Sequence, residues 1–132
     1  MTELVVVVFI IGLLAVLIVP KFSKNIRRAN EAGSLETLTS IRSALNIYFN
    51  DNAGCFPADL GPLMQPGNNY LSALPPLYTA DHGRSADVNY TPTKDGLLDT
   101  GNWGYVTAGS QQGNVWIQCT HTDSRGIVWS QY

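Results

Sequence analysis

Two cysteines, Cys55 and Cys119, carry the most distinctive side-chain chemistry in this sequence of 132 residues. They lie far apart and outside any Cys-x-x-Cys spacing, so we predict no zinc site. The region around them is rich in Gly, Asn and Thr, which favours one disulfide formed in an oxidising compartment, with two unrelated free thiols as the alternative. Such a disulfide would close a loop of about 65 residues and stabilise the fold by about 4 kcal/mol.

The remaining polar side chains give no convincing enzyme signature. His121, Asp123 and Ser124 are the residue types of a hydrolytic triad, but a triad needs side chains brought together through space, which neighbouring turn residues rarely provide. His82 is isolated in the sequence. We therefore predict that the protein is not an enzyme and needs no cofactor.

The second half of the chain is acidic, and its aspartates could supply oxygen ligands for calcium. Their spacing does not match an EF-hand, so we predict a solvated acidic loop and no metal. The aspartates concerned are Asp81, Asp87, Asp95 and Asp99. Asn89-Tyr90-Thr91 fits the sequon for N-glycosylation, a short pattern that this sequence matches once in the same region. The formal net charge of −2 gives no bulk electrostatic attraction for nucleic acid, so we expect no nucleic-acid partner.

The N-terminal residues form an apolar segment with one acid near its tip. Glu3 is the only formally charged side chain before Lys21, and residues 4–19 carry no charge. As a helix these residues would span about 24 Å, and Met1 and Phe22 extend the segment to membrane length. A signal peptide is the alternative, but no basic region precedes the segment, no small-x-small cleavage site follows it, and Pro20 leads into a further helical pattern. A plain membrane anchor also remains open.

Beyond Pro20 the pattern becomes that of an amphipathic helix. Apolar residues recur at spacings of three and four, and this face is the predicted core of a folded head. The residues of this face are Leu35, Leu38, Ile41, Leu45 and Tyr48. The Asn- and Gly-containing residues 50–54 predict the helix end.

The rest of the chain reads as a loop followed by strands. Residues 55–101 are rich in proline and glycine and predict an irregular loop, with a possible short strand at 88–91. From residue 102, the segments NWGYVTA, NVWIQCT and GIVWSQY predict a three-stranded antiparallel meander packed on the helix. The predicted class is α+β, a long helix against a three- to four-stranded antiparallel sheet. The predicted regions are the apolar helix, 1–22, its amphipathic continuation, 23–54, the irregular loop, 55–101, and the meander, 102–132.

At the N-terminus an acid is followed by an apolar run that contains Gly12 and leads into Pro20 and Phe22. This order resembles the N-terminus of type IV pilins and related pseudopilins, and the resemblance covers about residues 1–50. The resemblance implies that a prepilin peptidase removes a basic leader and methylates the new amine, after which subunits leave the inner membrane and pack their helices into a filament. A removed leader would also reconcile the basic residues after the apolar segment with an extracellular head. The family's glutamate is the fifth mature residue and here it is third, so either two residues precede Met1 or the chain departs from the family's register.

The resemblance also assigns roles to individual residues. Glu3 would neutralise the terminal amine of its own or a neighbouring subunit and so fix axial register. The helix surface would form the filament core through Leu4, Val5, Val8, Phe9, Ile11, Gly12, Leu14, Val16, Leu17, Pro20 and Phe22.

The function implied is a structural subunit of an extracellular type IV pilus. Its expected partners are identical subunits, the inner membrane before assembly, and the pilus assembly machinery. A type II secretion pseudopilin is the first alternative, and the predicted disulfide favours the pilin because that pseudopilin family commonly lacks one. The second alternative is a membrane-anchored binding module or a minor tip pilin.

Overall fold

A single long helix organises the molecule. The computed structural model describes residues 1–68 and 70–132 and begins with helix α1, Thr2–Asp51, which is about 75 Å long at 1.5 Å per residue. The helix runs through Pro20 without a break, although a proline has no N–H to donate to the carbonyl of Val16. Only the C-terminal half of α1 contributes buried side chains to the head.

The chain reverses direction directly after α1. The Asn52 N–H donates to the Tyr48 carbonyl at 2.9 Å, and the Gly54 N–H donates to the Phe49 carbonyl at 2.9 Å. Ala53 and Gly54 adopt positive φ angles of 55° and 79°, so both residues are left-handed. This left-handed turn ends the helix where the Asn- and Gly-rich sequence predicts.

In the described residues, five short strands follow in two sheets. Strands β1, Leu77–Thr79, and β2, Gly83–Ser85, form an antiparallel hairpin. Strands β3, Val88–Thr91, β4, Asn102–Val106, and β5, Val115–Gln118, form a second sheet in the order β3-β4-β5. One-turn 3₁₀ helices lie at Gly61–Met64, Gly109–Gln111 and Trp129–Gln131. The predicted α+β class, one long helix packed against a C-terminal sheet region, is confirmed.

The sheet differs from the predicted antiparallel meander in two respects. Strands β4 and β5 are antiparallel as expected, but β3 pairs with β4 in parallel and occupies its other edge. The segment GIVWSQY forms no third strand. It makes a single bridge between Thr122 and Val128 and then the 3₁₀ turn. The carboxylate of Asp123 accepts the N–H groups of Arg125 and Ile127 and so forms the turn, but the 3₁₀ helix that begins at Trp129 ends the pairing after one bridge.

The hydrophobic core lies between α1 and the sheets. Of the predicted helix face, Leu38, Ile41 and Leu45 are buried, while Leu35 and Tyr48 are partly buried and pack against the core. The sheet and loops complete this core with further buried side chains, among them Leu60, Leu63, Leu77, Trp103, Tyr105, Val115, Ile117 and Trp129.

Three polar side chains of α1 fix the helix on the head. The Ser34 hydroxyl donates to the Tyr78 carbonyl and accepts the Tyr78 N–H, each at 2.9 Å, which joins α1 to β1. The Glu31 carboxylate accepts the Ser124 N–H at 3.0 Å. The Arg42 guanidinium donates to the Val115 carbonyl at 2.8 Å. These contacts require α1 to run antiparallel to the 115–124 segment.

The predicted disulfide between Cys55 and Cys119 is wrong, because both cysteines are free thiols. Cys55 follows the end of α1, and its neighbour Phe56 packs beside Gly113, before β5 begins. Cys119 lies beyond the other end of β5, about four residues or 13 Å along an extended strand. A disulfide needs Cα atoms within about 7 Å, so the direction of α1 against β5 keeps the two thiols apart.

Candidate functional site: the exposed apolar helix

The N-terminal half of α1 is a large apolar surface that the head does not cover. Every residue from 1 to 26 is exposed. This stretch contains seventeen large apolar residues. The least exposed of them, Ile18, is still 46% exposed. By length and composition, α1 could cross a membrane. We call residues 1–26 the apolar arm.

The apolar arm is exposed on every side of the helix. About four consecutive residues make one full turn of a helix, so they point to all sides of it. The residues from Leu4 to Ile11 make more than two turns, and all of them are exposed. A helix that is apolar all round is stable only in a membrane or within a larger protein core. The residues predicted to form a filament core all lie on this surface: Leu4, Val5, Val8, Phe9, Ile11, Gly12, Leu14, Val16, Leu17, Pro20 and Phe22.

Gly12 forms a notch in the apolar arm. The missing side chain leaves a shallow groove of about 480 Å³, whose walls include Val8, Phe9, Val16 and Leu17. A Cβ atom built on Gly12 meets nothing within 4 Å, so the fold of the subunit itself does not require glycine here. Small residues at such positions let a second helix approach closely.

Glu3 lies in the first turn of α1, where the helix dipole favours a negative charge. In the described part of the chain, no basic side chain and no amino terminus lies within 4.0 Å of its carboxylate. Lys21, the next charged residue, is about 27 Å away along the helix axis. A cation for Glu3 in an apolar environment would therefore have to come from the terminal amine after a local rearrangement or from another molecule.

The three residues of triad type, His121, Asp123 and Ser124, have separate hydrogen-bond partners, in line with the rejection of a triad. The Asp123 carboxylate accepts hydrogen bonds from Arg125 and from the Tyr132 hydroxyl, and the Ser124 N–H donates to Glu31. His121 instead points to Asp99, with Nδ1 3.5 Å from Oδ1. These contacts give Asp123 and Ser124 structural roles.

A polar cluster that the sequence did not predict lies at one end of the head. It consists of His82, Asp99, Cys119 and His121, whose ligand-type atoms all lie within 4.8 Å of one another. The Thr120 N–H donates to the Asp99 carboxylate and lowers the pKa of Asp99. Burial raises the pKa of the Cys119 thiol. The residues come from three separate segments, so no local spacing could have indicated them. We call these four residues the His-Cys cluster.

The other acidic-loop and sequon residues have simpler surroundings. Asp81, Asp87 and Asp95 are exposed, as expected for a solvated loop. The side-chain amide of Asn89 donates to the Thr100 hydroxyl and to the side-chain oxygen of Gln118. A sugar on Asn89 would have to displace both contacts, which disfavours glycosylation of the folded head.

Comparison of the chain with protein-family models, with curated proteins and with solved structures gives no match. The architecture itself, a long apolar N-terminal helix with a small C-terminal sheet, is compatible with a pilin-like protein. The N-terminal helix fits a transmembrane helix.

Glu31 should make the stability of the head depend on pH. Burial raises the pKa of its carboxyl, but hydrogen bonds from Arg27 and from Ser124 outweigh that effect, and the pKa in the folded state is lowered from 4.5. The unfolded state therefore binds a proton more readily than the folded state. The stabilisation is fully present above about pH 4.5 and is lost as the pH falls through the lower pKa of the folded state.

The measurement is urea unfolding of the full chain in detergent across pH 3 to 7, for the wild type and Glu31→Gln. We expect Glu31→Gln to cost about 1.5–3 kcal/mol at pH 7, because a charge-assisted hydrogen bond to the carboxylate is lost. The difference between the two proteins should shrink below pH 4.5. The exposed Glu36→Gln serves as the control and should unfold like the wild type throughout. A gap for Glu31→Gln that does not change with pH would contradict this role.

Proposed function

We propose that the protein is a structural subunit that polymerises through the apolar arm into an extracellular filament of the type IV pilus kind. The observation that carries the proposal is that every residue from 1 to 26 is exposed, on a helix joined to a well-packed head. Each large apolar side chain gains about 1.5–3 kcal/mol when it is fully buried. With seventeen such side chains in the arm, covering it supplies a driving force much larger than the net stability of a domain of this size.

Two environments could cover the arm in turn. The bacterial inner membrane would surround it before assembly, and the arms of identical subunits would surround it afterwards. The groove at Gly12 supports close helix packing in the second environment. The position of Glu3 also favours it, because a carboxylate buried without a partner is costly, whereas a neighbouring subunit can supply its terminal amine.

A type II secretion pseudopilin is a second candidate. The free cysteines make it a stronger candidate than the sequence alone indicated. The predicted disulfide was the feature that separated the pilin from the pseudopilin, and that bond is not present. A secretion defect after deletion of the gene would favour the pseudopilin. A membrane-anchored binding module is a different class, and it gives no reason for an acid at the tip of the arm.

Electron microscopy of native material tests the proposed function. We expect surface filaments at native expression that disappear when the gene is deleted and return on complementation. Intact mass measurement of the purified subunit tests the implied cleavage and N-methylation. A protein that stays monomeric in the membrane, with the filaments of the cell unchanged by its deletion, would overturn the proposal.

A further inference from the structure

We propose that the His-Cys cluster is a binding site for a divalent transition metal of the zinc type. The ligand atoms are Nε2 of His82, Oδ1 of Asp99, Sγ of Cys119 and Nδ1 of His121. The site lies in the folded head and does not depend on filament assembly.

Three of the six distances between these atoms match the edges of a tetrahedral zinc site. Zinc bonds of about 2.0–2.3 Å in a tetrahedron place neighbouring ligand atoms about 3.3–3.6 Å apart. Oδ1 of Asp99 lies 3.3 Å from Nε2 of His82 and 3.5 Å from Nδ1 of His121. Sγ of Cys119 lies 3.6 Å from Nδ1 of His121. No pair of the four atoms exceeds 4.8 Å, so the set could close around one ion by movements of no more than about 1.2 Å.

The fold holds each ligand in place. Cys119 is fully buried directly after β5, and His121 follows two residues later. Asp99 has a positive φ of 45°, which Asp adopts more readily than most residues other than glycine, and the Thr120 N–H at 2.7 Å orients its carboxylate. His82 lies in the turn between β1 and β2. Its side chain packs so closely on Gly101 that a Cβ there would come within 3 Å of it.

The donor set selects the class of metal. A thiolate and two imidazoles are ligands for zinc and related borderline metals, whereas calcium and magnesium prefer oxygen alone. The cluster therefore differs in kind from the calcium site that the acidic loop could have suggested. Cys119 is directed into this cluster, which also explains why its thiol is not committed to a partner cysteine.

A bound ion would add a cross-link between three segments that already contact one another at the cluster. These segments are the turn of the β1–β2 hairpin, the end of the loop 92–101, and the chain beyond β5. The metal would thus perform the cross-linking that the sequence led us to expect from a disulfide, and it would do so at the opposite end of β5.

The test is metal binding by the full chain, purified in detergent and stripped with a chelator. Zinc titrated by calorimetry should bind with a stoichiometry of one ion per chain and raise the unfolding temperature. Cobalt in place of zinc should give the visible bands of a tetrahedral ion and a thiolate-to-cobalt charge-transfer band in the near ultraviolet.

Variants of the ligands distinguish this site from adventitious binding. His121 is exposed, so His121→Ala should fold normally and lose at least about tenfold in zinc affinity. Cys119→Ser should lose the charge-transfer band, and the isosteric Asp99→Asn should weaken binding by a similar factor. The controls are Cys55→Ser and Asp95→Asn, two exposed positions outside the cluster, which should bind zinc like the wild type.

Three results would overturn the proposal. They are binding well below one ion per chain, wild-type affinity in His121→Ala, and a charge-transfer band that survives in Cys119→Ser but disappears in Cys55→Ser. Because the measurements use the dispersed subunit, a protein that forms no filaments can still pass this test, and one that forms filaments can fail it.

Discussion

Glu3→Ala should abolish filament assembly while leaving the head folded and the protein in the membrane. In an assembled filament the carboxylate would lie among apolar arms, paired with a terminal amine. Removing it would leave that amine buried and unpaired, a loss that typically costs about 3–5 kcal/mol. Glu3 lies in the exposed apolar arm and contacts nothing in the head, so the stability of the head should not change.

The measurement combines filament counts by electron microscopy with the amount of subunit in the membrane fraction. We expect at least about a hundredfold fewer filaments at equal subunit level, as follows from about 3 kcal/mol per subunit contact. Glu3→Gln keeps the shape without the charge and should fail in the same way. Glu36→Ala, an exposed acid elsewhere on α1, is the matched control and should assemble normally. Normal filaments from Glu3→Ala would refute the register role of this residue.

Gly104→Ala should destabilise the head strongly, although it adds only one methyl group. Gly104 is the central residue of β4 and lies opposite Trp116 of β5. The buried indole of Trp116 covers it so closely that a Cβ atom would lie within 3 Å of the ring. The added methyl group must displace a tryptophan from a packed site, which costs about 1–3 kcal/mol and sometimes more.

Gly96→Ala is the matched control for this change. A Cβ on Gly96 meets nothing within 4 Å, and its backbone is outside the left-handed region, so we expect a change within about 0.5 kcal/mol. Urea unfolding followed by tryptophan fluorescence measures both variants. Equal stability of Gly104→Ala and the wild type would show that the indole has room to move and would contradict the packing described for the sheet.

The sequence predicted those parts of the fold that depend on local pattern. The spacing of Leu38, Ile41 and Leu45 placed the buried face of α1 correctly, because a helix brings residues three and four apart onto one side. The turn at Ala53 and Gly54 was also predictable, since these residues end the helix through local hydrogen bonds.

Relations between distant segments were the part that the sequence could not predict. The parallel pairing of β3 with β4 depends on the path of residues 92–101, and strand periodicity does not contain that information. The disulfide prediction failed for the same reason, because it required the direction of α1 relative to β5. The His-Cys cluster could not be predicted because Cys119 and His121 meet Asp99 and His82 from other segments, and short ligand spacings in the sequence do not contain such a relation.

The contacts of Arg42 have a consequence for synthesis on the ribosome. Its guanidinium binds the backbone at Val115 and at Tyr132, partners 73 and 90 residues later in the chain. The apolar arm therefore leaves the ribosome long before the head can form its core, since contacts between such distant residues form slowly and only after both are available. If the arm inserts into a membrane, as we propose, its insertion and the folding of the head would thus be separated in time by the topology of the chain. A nascent chain whose arm is not captured promptly would expose both the arm and an unfolded head to aggregation.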